Sequence, residues 1–219
     1  MTIEVEYEVA STDWKRRRLL KKLENIPLLS FDTETKGMYS KEERKQAKQL
    51  LDKGVTNPKV RAEYSLIVNN SGLSFPSLVN TTHFIFGVSK SFSYILIASS
   101  YEEEMVIWNW VKNYNGHLRI WNALFDLKIM YNRVNAFPKS YTDGMLLAKC
   151  LINNADNYKA LVGLKELMGS HYKPSWSLYD AYEPENLRDL DFLEYCAIDG
   201  AAVMLFFEQA QVHLDSTVQ

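Results

Sequence analysis

The most constraining feature of the sequence is an apolar stretch that ends in two carboxylates. Residues 28–38 read LLSFDTETKGM, so a strand-forming run is followed directly by Asp32 and Glu34. Alternate side chains of a strand point to one face, which places these two carboxylates side by side. Like charges held together repel, and a divalent cation would relieve that repulsion. The pattern therefore predicts a metal-binding end to a buried strand.

Composition limits the kind of protein and the kind of partner. A chain of 219 residues that is 47% hydrophobic suits one large domain with a substantial core. The net charge of −2 provides no overall attraction for a polyanion, so a nucleic-acid partner would need a local basic surface or bound metal ions. Cys150 and Cys196 are too few for a disulfide framework or a zinc site, which favours a reducing, cytoplasmic compartment. We expect no signal peptide and no membrane partner, because no apolar run approaches the roughly 18 residues of a span.

The order of predicted elements indicates a mixed α/β sheet flanked by helices. A strand is expected at residues 3–9, and the segments HFIFGVS and SYILIAS read as a hairpin. About 45 residues separate that hairpin from the carboxylate strand, which is long for a loop and predicts an insertion at about 39–81. Helices are expected at residues 40–53, 101–114, 123–134, 142–152, 159–168 and 185–214, the last of them bent or broken.

Two further acidic elements lie on predicted helices. Asp126 falls in the first turns of a helix that is otherwise apolar on that side, although a favourable dipole interaction alone would explain it. Tyr195 and Asp199 are four residues apart and share one helix face among small and apolar neighbours. A carboxylate buried there is costly unless it is paired or bound to metal. Of 13 tyrosines, only Tyr195 has an aspartate four residues later.

Together these segments resemble the three motifs of the DEDD exonucleases of the DnaQ-like superfamily. They stand here as D-T-E from Asp32, N-A-L-F-D ending at Asp126, and Y-C-A-I-D ending at Asp199. The other branch of the superfamily has histidine where this chain has Glu194, so the tyrosine branch is the better match. The resemblance implies a ribonuclease H-like fold with a central mixed sheet of five strands.

A second resemblance covers residues 26–37 and 82–210, which are similar to the proofreading domains of family A DNA polymerases. It is carried by FDTET and by YTDGMLLAKCLINNADNYKALVGLKELMG. It implies a 3′–5′ exonuclease that proofreads single-stranded DNA 3′ ends, with a DNA polymerase subunit or domain as partner, as in a virus that encodes the two separately. The alternatives are a ribonuclease D-like enzyme that trims RNA and a non-catalytic polymerase-associated module.

The resemblance also implies a role for each site residue. Asp32, Glu34 and Asp199 would hold one Mg²⁺ or Mn²⁺ ion, and Asp126 would hold a second ion roughly 3.5–4 Å away that Asp32 bridges. Tyr195 would orient the attacking water, because a phenol of pKa near 10 is a poor base at neutral pH. The residues expected to contact the terminal nucleotide are Thr33, Thr35, Met38, Asn122 and Phe125. For Asn122, capping of the following helix is an equally good explanation.

The insertion has a basic helix whose role the sequence leaves open. Its lysines and arginine begin just beyond Glu34 and include Lys41, Arg44, Lys45, Lys48 and Lys53. One hypothesis is that this helix flanks the substrate cleft and binds single strands. The alternative is a surface decoration with no part in binding. The basic face of residues 15–22 has a similar choice between a solvated helix surface and a phosphate contact, and the four histidines show no metal-ligand spacing.

Overall fold

The computed structural model describes residues 2–37, 41–68, 79–152, 163–177 and 186–217. Six strands form one sheet: β1 (Glu6–Ala10), β2 (Leu28–Gly37), β3 (Val79–Ser89), β4 (Phe92–Ile97), β5 (His117–Ile120) and β6 (Tyr141–Asp143). The helices are α1 (Asp13–Leu23), α2 (Lys41–Asp52), α3 (Pro58–Val68), α4 (Tyr101–Asn113), α5 (Leu124–Val134), α6 (Gly144–Ile152), α7 (Leu164–Met168), α8 (Pro174–Ser177) and α9 (Leu190–Thr217). None of the helices described here combines the length and apolarity that a bilayer span requires.

The carboxylate strand β2 lies inside the sheet, whose order is β1-β4-β3-β2-β5-β6. It pairs antiparallel with β3 and parallel with β5, while β4 is antiparallel to β3. The outer pairs β1–β4 and β5–β6 are both parallel. The predicted mixed sheet flanked by helices is therefore confirmed, with six strands in place of the expected five.

Helices cover both faces of the sheet. On one face, Trp108 of α4 packs edge-on against Phe31 and Phe84, and the three side chains are fully buried. On the other face, Ile85, Ile95 and the apolar side of α9 form a separate cluster. Burial of both faces explains why the central strands read as nearly continuous apolar runs rather than as alternating ones.

Helix α9 is fixed to the sheet by a close approach of two backbones. The Ser30 hydroxyl donates to the Gly200 carbonyl at 2.7 Å, and the Ser93 hydroxyl donates to the Ala197 carbonyl at 2.7 Å. A Cβ on Gly87 would lie 2.4 Å from the Gly200 carbonyl oxygen, so only glycine fits at residue 87. These contacts fix the rotation and height of α9 over β2, and hence the position of Asp199.

The segment predicted as an insertion forms two helices in its described part. Helices α2 and α3 pack against each other, and Ala47 of α2 is buried. Gly37, the last residue of β2, pairs with Val79, the first residue of β3. The chain thus leaves and re-enters the sheet at adjacent positions, and β3 begins two residues before the predicted boundary at residue 81.

Three sequence predictions need correction. Thr142, expected at a helix start, lies in β6 because it pairs with Arg119 of β5. Asn122 does not cap α5: the N-cap position is Ala123, with no side-chain cap hydrogen bond, and Asn122 has a left-handed φ of 55°. The last helix is not broken, since α9 is one continuous helix of 28 residues. The helix expected at residues 159–168 begins in the described residues only at Leu164.

Deletion of residues 42–78 should test the insertion hypothesis without disturbing the sheet. Residues 38–41 would then join Gly37 to Val79 as a hairpin loop, which is a common connection length. We expect the far-UV circular dichroism spectrum to lose only the helical signal of α2 and α3, and single-strand binding to weaken by about tenfold through lost phosphate contacts. Fluorescence anisotropy with a labelled oligonucleotide, on an Asp32→Asn background that prevents cleavage, measures the affinity.

The matched control keeps the helix and removes only its charge, as Lys45→Gln, Lys48→Gln and Lys53→Gln combined. If the deletion and the triple variant both bind like the parent protein, the segment is a surface decoration and the hypothesis is wrong.

Candidate active site

Two carboxylates of the site come from the end of β2. Asp32 and Glu34 alternate with Thr33, so both point toward α9 while Thr33 points toward α5. The ladder between β2 and β3 shifts between Glu34 and Thr35, which marks a bulge directly after the last carboxylate. Bulges of this kind re-aim side chains and are frequent beside functional sites.

Asp199 of α9 completes a group of three carboxylates. One oxygen from each of Asp32, Glu34 and Asp199 lies within 4.8 Å of the other two. Tyr195 lies one turn before Asp199 on the same helix, and its hydroxyl makes side-chain hydrogen bonds with this acidic group. Residues more than 160 positions apart in sequence therefore meet, as the motif pattern predicts.

Asp126 belongs to the same cleft but is held apart from the three-carboxylate group. It lies in the first turn of α5 and is 2% exposed, and the Thr33 hydroxyl donates to its Oδ1 at 2.5 Å. Its charge still acts on Asp32, whose pKa it raises. The arrangement brings four acidic side chains to one cleft, where the charges of Asp126, Glu34 and Asp199 all act on Asp32.

Burial raises the pKa of every one of these carboxyls. Burial and the neighbouring charges, Asp126 first among them, hold the pKa of Asp32 well above its usual range. The pKa of Glu34 rises to about 8, from burial and then from Asp199. Burial raises the pKa of Asp126 to about 7 and that of Asp199 to about 6, each against opposing hydrogen bonds. Asp32 and Glu34 are half-buried by surface area but are closely surrounded by protein atoms.

These carboxylates suit a hard divalent cation. All three ligand candidates of the close group offer carboxylate oxygens, which are the ligands that Mg²⁺ and Mn²⁺ prefer. A cation among them would offset the burial of these charges and the repulsion between them, the two causes that raise the pKa values of Asp32 and Glu34. Asp32, Glu34 and Asp199 are the residues that would hold it, and Asp126 lines the same cleft and would be available to a second ion.

The carboxylates lie in a cleft of about 440 Å³. Thr33, Asn122 and Phe125 line it, as expected for residues that contact a terminal nucleotide. Thr35 lies beyond the bulge, where it pairs with Thr81, and does not line the cleft. Met38 falls outside the described residues. The roles of all five residues in substrate binding stay predictions.

Two residues outside the three motifs contact the side chains of the site. Lys165 of α7 lines the cleft, lies 4.8 Å from the centre of the Tyr195 ring, and lowers the pKa of both Glu34 and Asp199. Trp176 of α8 is 1% exposed, and its indole Nε1 donates to Asp199 Oδ1 at 2.9 Å. Lys165 lies in a helix that the sequence predicts, but nothing in the three motifs assigned it to the site. Trp176 comes from a short helix in an aromatic, turn-rich stretch without clear periodicity.

The carboxylate of Asp143, at the end of β6, accepts hydrogen bonds at the starts of helices α5 and α6. Its Oδ1 accepts from the backbone N–H groups of Met145 and Leu146 and so caps α6. Its Oδ2 accepts from the backbone N–H of Ala123 at 3.0 Å. One carboxylate thus fixes the starts of two helices, including the one that carries Asp126.

Comparisons with known proteins extend this picture. No protein-family model matches the chain, and no curated protein matches it. Similar solved structures include Escherichia coli RNase D, an exoribonuclease, at 13% identity and a TM-score of 0.58. Brucella melitensis NrnC with bound Mg²⁺ is 12% identical with a TM-score of 0.54. The Aedes aegypti Nibbler EXO domain is 10% identical with a TM-score of 0.61.

The matches cover nearly all of this chain but different shares of the matched chains. They cover 97%, 99% and 99% of this chain, and 46%, 84% and 94% of the RNase D, NrnC and Nibbler chains. The chain thus spans about half the length of E. coli RNase D. The chain therefore shares its overall fold, a mixed sheet flanked by helices, with these solved structures. Membership in the DnaQ-like superfamily stays a prediction from the motifs. The narrower resemblance to polymerase proofreading domains and the assignment to the tyrosine branch stay predictions.

The raised pKa of Glu34 predicts a pH-dependent stability of the metal-free protein. The folded state binds a proton more tightly than the unfolded state, so the stabilisation is present below about pH 4.5 and is lost as the pH rises through about 8. In EDTA, the free energy of unfolding of the wild type should therefore fall by about 1–3 kcal/mol more than that of Glu34→Gln across this pH range. Urea unfolding of both proteins measures the difference.

Glu6→Gln, at an exposed position in β1, is the matched control and should follow wild type at every pH. Added Mg²⁺ should restore the stability of wild type at the alkaline end. If the free energies of unfolding of wild type and Glu34→Gln change in parallel with pH, the raised pKa of Glu34 is contradicted.

Proposed function

We propose that the chain is a metal-dependent 3′–5′ exonuclease that removes nucleotides from the 3′ end of single-stranded RNA. The proposal rests on one observation: four acidic side chains and Tyr195, from three separate motifs, face one cleft in a DnaQ-like fold. Bound divalent ions would activate the attacking water and neutralise the charge that develops on the phosphate. The chain's own residues hold those ions, the water and the terminal nucleotide in place.

Tyr195 acts as a hydrogen-bond donor in this proposal. Burial, followed by the nearby charges of Asp199 and Glu34, raises the pKa of Tyr195 well above its usual value. The hydroxyl therefore keeps its proton and cannot serve as the general base. It orients the water by donating a hydrogen bond to it, while Asp32, Glu34 and Asp199 hold the cation.

The remaining cleft residues suit the end of a single strand. Phe125 offers an aromatic face for the terminal base, since stacking on aromatic side chains is the common way to hold an unpaired base. The left-handed backbone of Asn122 turns the chain at the edge of the cleft, so a capping role no longer explains this residue. Lys165 supplies a positive charge beside Tyr195, where a substrate phosphate would otherwise meet only carboxylates.

RNA is favoured over DNA as the substrate by two considerations. One of the structures with this fold is described as an exoribonuclease, whereas none of those reported above is described as a proofreading domain. The sequence resemblance that favoured DNA centres on the helix after Asp143, and Asp143 caps α6 and supports α5. DNA proofreading with a polymerase partner remains the second candidate, because the resemblance extends over most of the chain.

Cleavage of matched oligonucleotides tests the reaction and the substrate together. Single strands of RNA and of DNA with one sequence and a 5′ label are incubated with Mg²⁺, with Mn²⁺ or with EDTA. We expect a ladder that shortens from the 3′ end, a higher kcat/KM for RNA, and no cleavage in EDTA. Asp32→Asn should lower kcat/KM by more than the roughly 10- to 100-fold that is typical when a residue hydrogen-bonded to a metal ligand is removed, because Asp32 would itself be a ligand.

Asp13→Asn, on the exposed first turn of α1, is the matched control and should cleave at the wild-type rate. A higher kcat/KM for DNA would favour proofreading. No cleavage of either strand by the wild-type protein would favour a non-catalytic module and reject the proposal.

Tyr195→Phe tests the positioning role of the hydroxyl. The variant keeps the ring and loses one hydrogen bond, so kcat should fall by about 10- to 100-fold with KM nearly unchanged. Single-turnover and steady-state kinetics separate these effects. Tyr114→Phe is the control, because it removes a hydroxyl that donates to the Ile26 carbonyl far from the cleft. A large rise in KM for Tyr195→Phe would instead assign the hydroxyl to substrate binding.

A further inference from the structure

Trp176 makes a direct contact with a carboxylate of the proposed metal site. Its indole Nε1 donates to Asp199 Oδ1 at 2.9 Å. Both side chains are almost fully buried, with 1% of Trp176 and 8% of Asp199 exposed. A hydrogen bond between a buried N–H and a carboxylate is stronger than a neutral one, and it opposes the rise in the pKa of Asp199.

The contact constrains how Asp199 can be oriented. With one oxygen bonded to a rigid, buried indole, the carboxylate cannot rotate freely about its Cβ–Cγ bond. The indole is itself fixed, since its ring packs edge-on against Tyr172 with centroids 5.4 Å apart. Helix α9 fixes the backbone of Asp199 through Gly200, and the indole and the Tyr195 hydroxyl constrain the side chain by hydrogen bonds.

The same type of contact occurs elsewhere in the chain without any link to the cleft. Trp108 Nε1 donates to Glu104 Oε1 at 3.1 Å, and both side chains are fully buried in the core. Arg133 also donates to this Glu104 oxygen, at 2.9 Å. A buried indole–carboxylate pair can therefore serve structure alone, and a test must separate that role from a role in the site.

We propose that Trp176 is a positioning residue, which holds the Asp199 carboxylate in the orientation that binds the divalent cation. The inference rests on the proposed metal-dependent function and extends it to a residue outside the three motifs. Trp176 touches neither substrate nor reacting atoms in this role. It acts through Asp199, in the way that outer-shell hydrogen bonds orient metal ligands generally.

Paired variants provide the first test. Trp176→Phe keeps an aromatic ring and removes the N–H donor, and Trp108→Phe makes the same change in the core. Calorimetric titration with Mn²⁺, without substrate, should show about tenfold weaker binding for Trp176→Phe and wild-type binding for Trp108→Phe. Urea unfolding measures how far each substitution lowers the free energy of unfolding, so that a general loss of stability can be separated from a change in Mn²⁺ affinity.

Kinetics on a single-stranded oligonucleotide provide a second readout. Trp176→Phe should lower kcat by about tenfold at subsaturating Mn²⁺, with KM for the oligonucleotide unchanged, and added Mn²⁺ should restore part of the rate. A residue that only stabilised the fold would not make the loss depend on metal concentration. Wild-type Mn²⁺ affinity and rate in Trp176→Phe would overturn the proposal.

A measurement on the wild-type protein keeps the test valid if Trp176→Phe does not fold. In a ¹⁵N-labelled sample the five indole N–H signals can be assigned from the other single variants, at Trp14, Trp108, Trp110 and Trp121, by elimination. Addition of Mg²⁺ should shift the Trp176 signal and leave the Trp108 signal in place. An unshifted Trp176 signal at saturating Mg²⁺ would overturn the proposal.

These readouts also separate the two proposals. A wild-type protein that binds Mn²⁺ but cleaves no oligonucleotide would reject the exonuclease function, while the Mn²⁺ titrations would still decide the role of Trp176. Active wild-type protein with unaltered Trp176→Phe would reject only the positioning role.

Discussion

Repulsion among buried carboxylates is the interaction on which the rest of this structure depends. Asp32, Glu34 and Asp199 bring oxygens within 4.8 Å of one another, and the charge of Asp126 also acts on Asp32. No fold gains stability from such a cluster by itself, and burial makes the charged forms still less favourable. The arrangement is explained when a divalent cation binds there, because the cation converts the repulsion into attraction.

Holding that cluster together requires a rigid frame, and the frame is the contact of α9 with the sheet. Gly87 and Gly200 let two backbones approach more closely than any side chain would allow. At this contact the buried hydroxyls of Ser30 and Ser93 donate hydrogen bonds to backbone carbonyls of α9. Strand and helix therefore keep a fixed spacing, and the carboxylates cannot relieve their repulsion by moving apart.

The choice between RNA and DNA as the substrate does not alter the chemistry proposed for the cleft. The motifs and the acidic cleft support the same reaction in a proofreading domain and in an exoribonuclease, because both hydrolyse a phosphodiester at a 3′ end. The sequence pattern after Asp143 favoured DNA, yet the carboxylate of Asp143 serves to start α5 and α6. A residue with a structural role of this kind would be expected in either type of enzyme, so it does not distinguish the substrates.

The sequence by itself determined the mixed sheet, the carboxylate strand and the acidic residues of the cleft, because each lies on an element with a clear period or motif. It did not determine β6, which is only three residues long and exists because Leu118 to Ile120 offer it a parallel partner. It also misassigned Asn122 as a helix cap, since the left-handed turn there depends on Asp143 holding Ala123. Only the tertiary structure brought Lys165 to the cleft and the Trp176 indole to Asp199, because contacts between distant short helices leave no periodic pattern in a sequence.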